Sequence, residues 1–138
     1  MSAERNKAAV QRYVDMFNSG DLTDLDEVID PNIAYREPTR RIDGRDAFKQ
    51  GLAAYLTAFG QPRLTIDDLV ADADRAALRW TLRGTPTAPL MGVAPTGKEV
   101  TFSGITFLRL EGGKFVEWWG QWDVMSLMRQ IGATPTPG

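Results

Sequence analysis

Val100–Asp123 reads VTFSGITFLRLEGGKFVEWWGQWD. It predicts two long strands joined by a tight hairpin. Glu111-Gly112-Gly113-Lys114 supplies the glycines that a short hairpin loop needs for positive φ, and the flanking runs are rich in β-branched and aromatic residues. Strand residues alternate faces, so Phe102, Gly104, Thr106, Leu108 and Leu110 share one side, with Thr101, Ser103, Ile105, Phe107 and Arg109 on the other. In the second strand Trp118, Gly120 and Trp122 lie together, opposite Glu117, Trp119, Gln121 and Asp123. Neither face is cleanly polar, as a solvated antiparallel sheet would be. Both are expected to be covered, one by helices of the same chain and one by another subunit. Three of the four tryptophans fall in this run, which marks it as the wall of a binding cavity.

Working outward, Arg63–Ala71 and Arg75–Thr85 read as two more strands around the turn Asp72-Ala73-Asp74. Thr85–Gly97 is a proline- and glycine-rich loop carrying the apolar pair Leu90-Met91. Upstream, residues 3–19 form a helix with Val10, Tyr13, Val14 and Phe17 at i, i+3, i+4, i+7, stopped at Gly20. A second, short helix is predicted over Leu22–Ile29, a short strand over Ile33–Glu37 and a polar, basic loop over Thr39–Asp43. The third helix, Arg45–Phe59, carries Phe48, Leu52, Tyr55, Leu56 and Phe59 on one stripe. A last short helix spans Val124–Ile131. The pattern is one domain over residues 1–133, with a frayed tail at 134–138. Helices followed by antiparallel strands give an α+β plan, three N-terminal helices on a curved sheet, and the cone between them is the default small-molecule site.

Composition narrows the chemistry. The 138 residues are 43% hydrophobic and 25% charged, an ordinary globular balance. A net charge of −2 without a basic run argues against nucleic acid as a partner. No apolar run approaches 18 residues, so no membrane span is expected, and the N-terminal residues lack the apolar segment of a signal peptide. A cytoplasmic location follows as the expectation. Cysteine and histidine are both absent. That removes thiolate nucleophiles, Ser-His-Asp triads and the commonest metal ligands. Acid–base work falls to Asp, Glu, Tyr, Lys, Arg or water, and neither metal nor cofactor is expected.

The order of elements resembles the nuclear-transport-factor-2-like fold, and the local sequences are similar to those of the SnoaL-like polyketide cyclases. The matching pieces are Phe17–Asp21, Trp80–Thr85, Leu90–Gly97, Phe102–Gly104, Arg109–Lys114 and Leu127–Gly132. The resemblance implies cofactor-independent chemistry on a polyketide. The family's aldol cyclases use an Asp on the last strand and a His on the strand before it. Those positions fall on Gly120 and Thr106, so the standard pair is absent. The related ketosteroid isomerases carry an Asp-Pro where this chain has Glu37-Pro38, and an oxyanion-binding tyrosine where it has Tyr13.

The resemblance therefore implies Glu37 as base and Tyr13 as oxyanion donor, with Thr106 offering a weaker hydroxyl. A carboxylate in an apolar cone has its pKa raised toward neutrality. Alternatively, Glu37 is a surface carboxylate paired with Arg36, Arg40 or Arg41, and Tyr13 a core aromatic. Asp123 is a helix N-cap or a pocket acid. Arg79 and Arg83 share a face suited to clamping an anion. Substrate-binding candidates are Phe17, Tyr35, Phe48, Leu52 and Tyr55 from the N-terminal half. From the second half come Trp80, Met91, Thr106, Trp118 and Trp122. So many aromatics suit a flat, apolar, aromatic ligand. Three functions stay open: enolate chemistry such as cyclisation or isomerisation, support of hydroxylation of an aromatic polyketide, and ligand binding without catalysis. The apolar outer face, Thr101, Ser103, Ile105 and Phe107, predicts a homodimer.

Overall fold

The computed structural model describes residues 2–133; Met1 and the tail at 134–138 lie outside them. Helix α1 (Ala3–Ser19) starts at Ser2, whose hydroxyl accepts from the Arg5 amide, and ends at Gly20 with φ +78°. It is followed by strands β1 (Ile29–Glu37) and β2 (Arg40–Asp43), helix α2 (Arg45–Ala58), strands β3 (Arg63–Ala71), β4 (Arg75–Gly84), β5 (Val100–Glu111) and β6 (Lys114–Trp122), and helix α3 (Val124–Ile131). The strands form one sheet in the order β2-β1-β6-β5-β4-β3. Every neighbouring pair is antiparallel except β1 and β6, which run parallel. This is the α+β cone expected from the sequence, with the helices packed on an open, mostly antiparallel sheet.

The β5–β6 hairpin turns through Gly112 and Gly113, both at positive φ, and pairs Glu111 with Lys114. The strand parity is as the sequence predicts. Phe102, Thr106, Leu108 and Leu110 are buried, while Thr101, Ser103, Ile105 and Phe107 are exposed. Strand β4 alternates in the same way, burying Ala76, Leu78, Trp80 and Leu82 and turning Arg75, Arg79 and Arg83 outward. Arg79 and Arg83 are thus away from the cone, and Arg83 meets Glu99 at 3.4 Å.

Three elements differ from the sequence expectation. The second helix is only a single 3-10 turn, Leu25–Glu27, and β1 begins at Ile29 rather than after Pro31. Pro31 is accommodated because the β1–β6 register jumps between Ile29↔Phe115 and Ala34↔Glu117; in that bulge a missing N–H breaks no ladder bond. The predicted basic loop at 39–43 is strand β2, hairpinned onto β1 and clamped by Arg36, which donates to the Ile42 carbonyl and to Asp43.

Candidate active site

The inward side chains of β1, β6, β5 and β4 form rows across the floor of the cone. One row is Tyr35, Trp118, Leu108 and Ala76; the next runs from Gly120 to Thr106 and Leu78; a third joins Trp122, Gly104 and Trp80. Glu37 ends β1 beside Gly120. A Cβ at Gly120 would stand 2.9 Å from Glu37 Cγ and 3.0 Å from Cδ, so the glycine is what lets this carboxylate lie over the floor. Gly104 does the same for Trp80: a Cβ there would meet the indole Cζ2 at 2.5 Å. Both are large-into-small packings that leave no slack.

Above this floor lies a cavity of about 80 Å³, open at one end and enclosed by α1, α2 and the sheet. It is several times the ~10–15 Å³ that one water needs. All three tyrosines of the chain and three of its four tryptophans line it. Glu37 and Arg40 are the charged side chains in that lining. The aromatic rings interlock: Tyr13 meets Trp118 edge-on at 5.3 Å between centroids, and Tyr35 lies 5.1 Å from the same indole.

Both Glu37 oxygens are used. Oε1 accepts from the Tyr35 hydroxyl, and Oε2 accepts from Trp118 Nε1 at 3.2 Å. Arg36 and Arg41 are both turned to Asp43, and Arg40, opposite Glu37 across β1 and β2, acts on it through space without a salt bridge among the described residues. Burial raises the Glu37 carboxyl above its ordinary value, opposed by the two hydrogen bonds and by Arg40. The tyrosines are raised too, by burial first and by the Glu37 charge next. They remain O–H donors throughout the working pH range. Tyr13 is 6% exposed, yet its hydroxyl has no hydrogen-bond partner among the described residues and is not sealed from the cavity. Thr106 Oγ1 accepts from Trp80 Nε1 at 2.9 Å, which leaves its own hydrogen to donate.

Glu37, Tyr13, Phe17, Tyr35, Phe48, Leu52, Tyr55, Trp80, Thr106, Trp118 and Trp122 all line the one cavity. Asp123 and Met91 do not. Asp123 is exposed and caps α3, accepting from the Ser126 amide at 3.0 Å. Met91 sits at positive φ in a tight turn of the 85–99 loop, 44% exposed. Sequence reasoning passed over Phe102, Leu78 and Leu82, which strand parity alone placed inward. It also passed over Arg40, whose place in the wall depends on β2, an element the sequence did not announce.

Fold and cavity together define a cone-shaped α+β protein built around a half-buried carboxylate and an aromatic-lined cavity. Residues 7–131 match the family model of the SnoaL-like polyketide cyclases, and the chain belongs to that family. Among solved structures it is similar to AclR, a candidate hydroxylase from Streptomyces galilaeus, at 28% identity and TM-score 0.84, covering 99% of this chain and 91% of that one. It is similar to TsrD from Streptomyces laurentii at 26% identity and TM-score 0.84, covering 96% and 98%. A third is IdmH, a candidate polyketide cyclase from Streptomyces antibioticus, at 27% identity and TM-score 0.80, covering 92% and 98%. Among curated proteins, none matches.

Proposed function

We propose that the protein is an enzyme that performs acid–base chemistry through an enolate on a hydrophobic, aromatic, polyketide-like substrate. The observation that carries this is Glu37: a carboxylate held in an aromatic cavity, raised in pKa by burial and left without an ion pair among the described residues. Glu37 removes a proton from a carbon beside a carbonyl, and the electron pair moves onto the carbonyl oxygen. Tyr13 donates its unpartnered hydroxyl to that oxyanion, with Thr106 available below. Return of the proton to a different carbon completes an isomerisation. Attack of the enolate carbon on a second carbonyl closes a ring, and Glu37 then protonates the new alkoxide. These steps ask for no group beyond the side chains named. Glu37 reaches the floor over Gly120, so one carboxylate serves where the family's cyclases place theirs on the last strand.

The test is binding and turnover with a panel of tricyclic and tetracyclic aromatic polyketides, comparing wild type with Glu37→Gln. Retained binding with lost turnover supports the base. Equal turnover in both removes Glu37 and favours hydroxylation of an electron-rich aromatic, for which the likeness to AclR is the supporting observation; excluding air then abolishes the reaction. Binding without turnover in either leaves a carrier.

We also propose a homodimer formed through the outer face of the sheet. Phe107 pairs with Trp119 across β5 and β6, and with Ile105 they are 43%, 51% and 57% exposed. Among the described residues no helix is long and apolar enough to cross a membrane; a cytoplasmic location goes with the reading of a small-molecule enzyme.

A further inference from the structure

We propose that Arg40 makes the cavity selective for aromatic ligands that carry a carboxylate, the apolar body seated among the rings and the anionic group held at Arg40. The proposal rests on the cavity being the ligand site, as argued above. Arg40 opens β2 and contributes to the cavity wall. Its guanidinium carbon lies over two rings, 5.6 Å from the Tyr35 centroid and 5.4 Å from that of Tyr55. Ring faces attract the flat face of a guanidinium and leave its N–H edge unsatisfied.

The electrostatics set this residue apart. The other half-buried arginines are each ion-paired: Arg36 with Asp43 at 2.8 Å, Arg45 with Asp26 at 3.4 Å, and Arg109 with Glu111 and Glu117. Among the described residues Arg40 makes no salt bridge: it faces Glu37 across β1 and β2, and against burial the Tyr35 hydroxyl and the Glu37 charge beside it hold its pKa up without giving it a carboxylate in direct contact. Glu37 is the carboxylate of the lining, and its oxygens already accept from Tyr35 and Trp118. The three tyrosines stay neutral, because burial and the Glu37 charge hold them protonated. A partly desolvated guanidinium whose nearby carboxylate is committed to other donors keeps N–H groups free for a further acceptor. A carboxylate on the ligand supplies the missing partner, and its planar geometry fits the guanidinium fork.

The test titrates the intrinsic tryptophan fluorescence of the intact protein at neutral pH with naphthalene-2-carboxylate and with its methyl ester, a pair that differs in charge and hardly in shape. In wild type the acid is expected to bind about ten-fold more tightly than the ester, or better. Arg40→Met is expected to erase that ratio while ester binding persists, and Arg40→Lys to keep part of it. Equal affinities in wild type overturn the proposal, as does a preference that survives in Arg40→Met. Should Arg40→Met fail to fold, the wild-type ratio and Arg40→Lys still decide. Measurable but equal binding of both compounds removes Arg40 alone. Absence of binding by either removes the ligand site itself, and the proposal with it.

Discussion

The carboxylate of Glu37 occupies the space that a side chain at residue 120 would fill. An alanine Cβ at Gly120 would lie 2.9 Å from Glu37 Cγ, inside van der Waals contact. Gly120→Ala is therefore expected to push Glu37 off Tyr35 and Trp118 and to cost about 1–3 kcal/mol of stability, through overpacking and two lost acceptors. Turnover should fall with it. Urea denaturation and a turnover assay read both, and a variant as stable and active as wild type would show that the approach is not close.

The pH dependence follows from the direction of the Glu37 shift. Burial raises its carboxyl above the ordinary 4.5, so the folded protein holds this proton more tightly than the unfolded chain. Between the unfolded and folded values the native state carries more protons, and stability falls as pH rises through that window. Above the folded value the cost of the buried charge is fully present. Glu37→Gln should melt higher than wild type at neutral pH and show a flatter dependence of melting temperature on pH. An identical slope in both proteins would assign the titration elsewhere.

Removing one of the donors moves the same group further. The Trp118 indole N–H favours the charged form of Glu37, so Trp118→Phe should raise its pKa again. The acidic limb of the kcat/KM profile is expected to shift to higher pH. A shift to lower pH would contradict the hydrogen bond's role.

Tyr13 separates catalysis from packing. Its hydroxyl has no hydrogen-bond partner among the described residues, so Tyr13→Phe should change stability by less than about 0.5 kcal/mol. Loss of an oxyanion donor lowers turnover by roughly 10²–10³-fold. Full activity in the phenylalanine variant would leave Tyr13 as a wall.

The outer face gives a prediction about assembly. Trp119→Lys places a charge in the middle of the exposed apolar patch formed with Ile105 and Phe107. Sedimentation should show a dimer for wild type and a monomer for the variant, each at micromolar concentration. A monomeric wild type ends the proposal.

The strand that builds the floor was legible because its signals are local: alternating parity, two glycines in a turn, tryptophans at matched positions. So were α1 and α3, whose ends carry Ser2, Gly20 and Asp123. The 3-10 turn was not, since Leu22–Ile29 has the composition of a helix, while in the fold Leu25 and Val28 are buried and Ile29 already belongs to β1. Pro31 misled for a related reason. Proline excludes a regular ladder, but a bulge absorbs it, and bulges are set by the partner strand. The same dependence on partners hid Arg40, an arginine in a basic stretch until β2 folds it onto two rings. Asp123 shows the reverse case, a carboxylate beside the tryptophan run whose work is local and structural.

The parallel pairing of β1 with β6 has a consequence for biosynthesis. Glu37 and the Trp118 indole that holds it are 81 residues apart in the chain, brought together by the direct pairing of β1 with β6. Contacts this distant in sequence form slowly and late. A nascent chain or a truncation product that lacks β6 lacks Phe115, Trp118 and Trp122 of the cavity lining and the donor to Glu37. The aromatic cavity is therefore a property of the completed sheet and of no shorter segment of the chain.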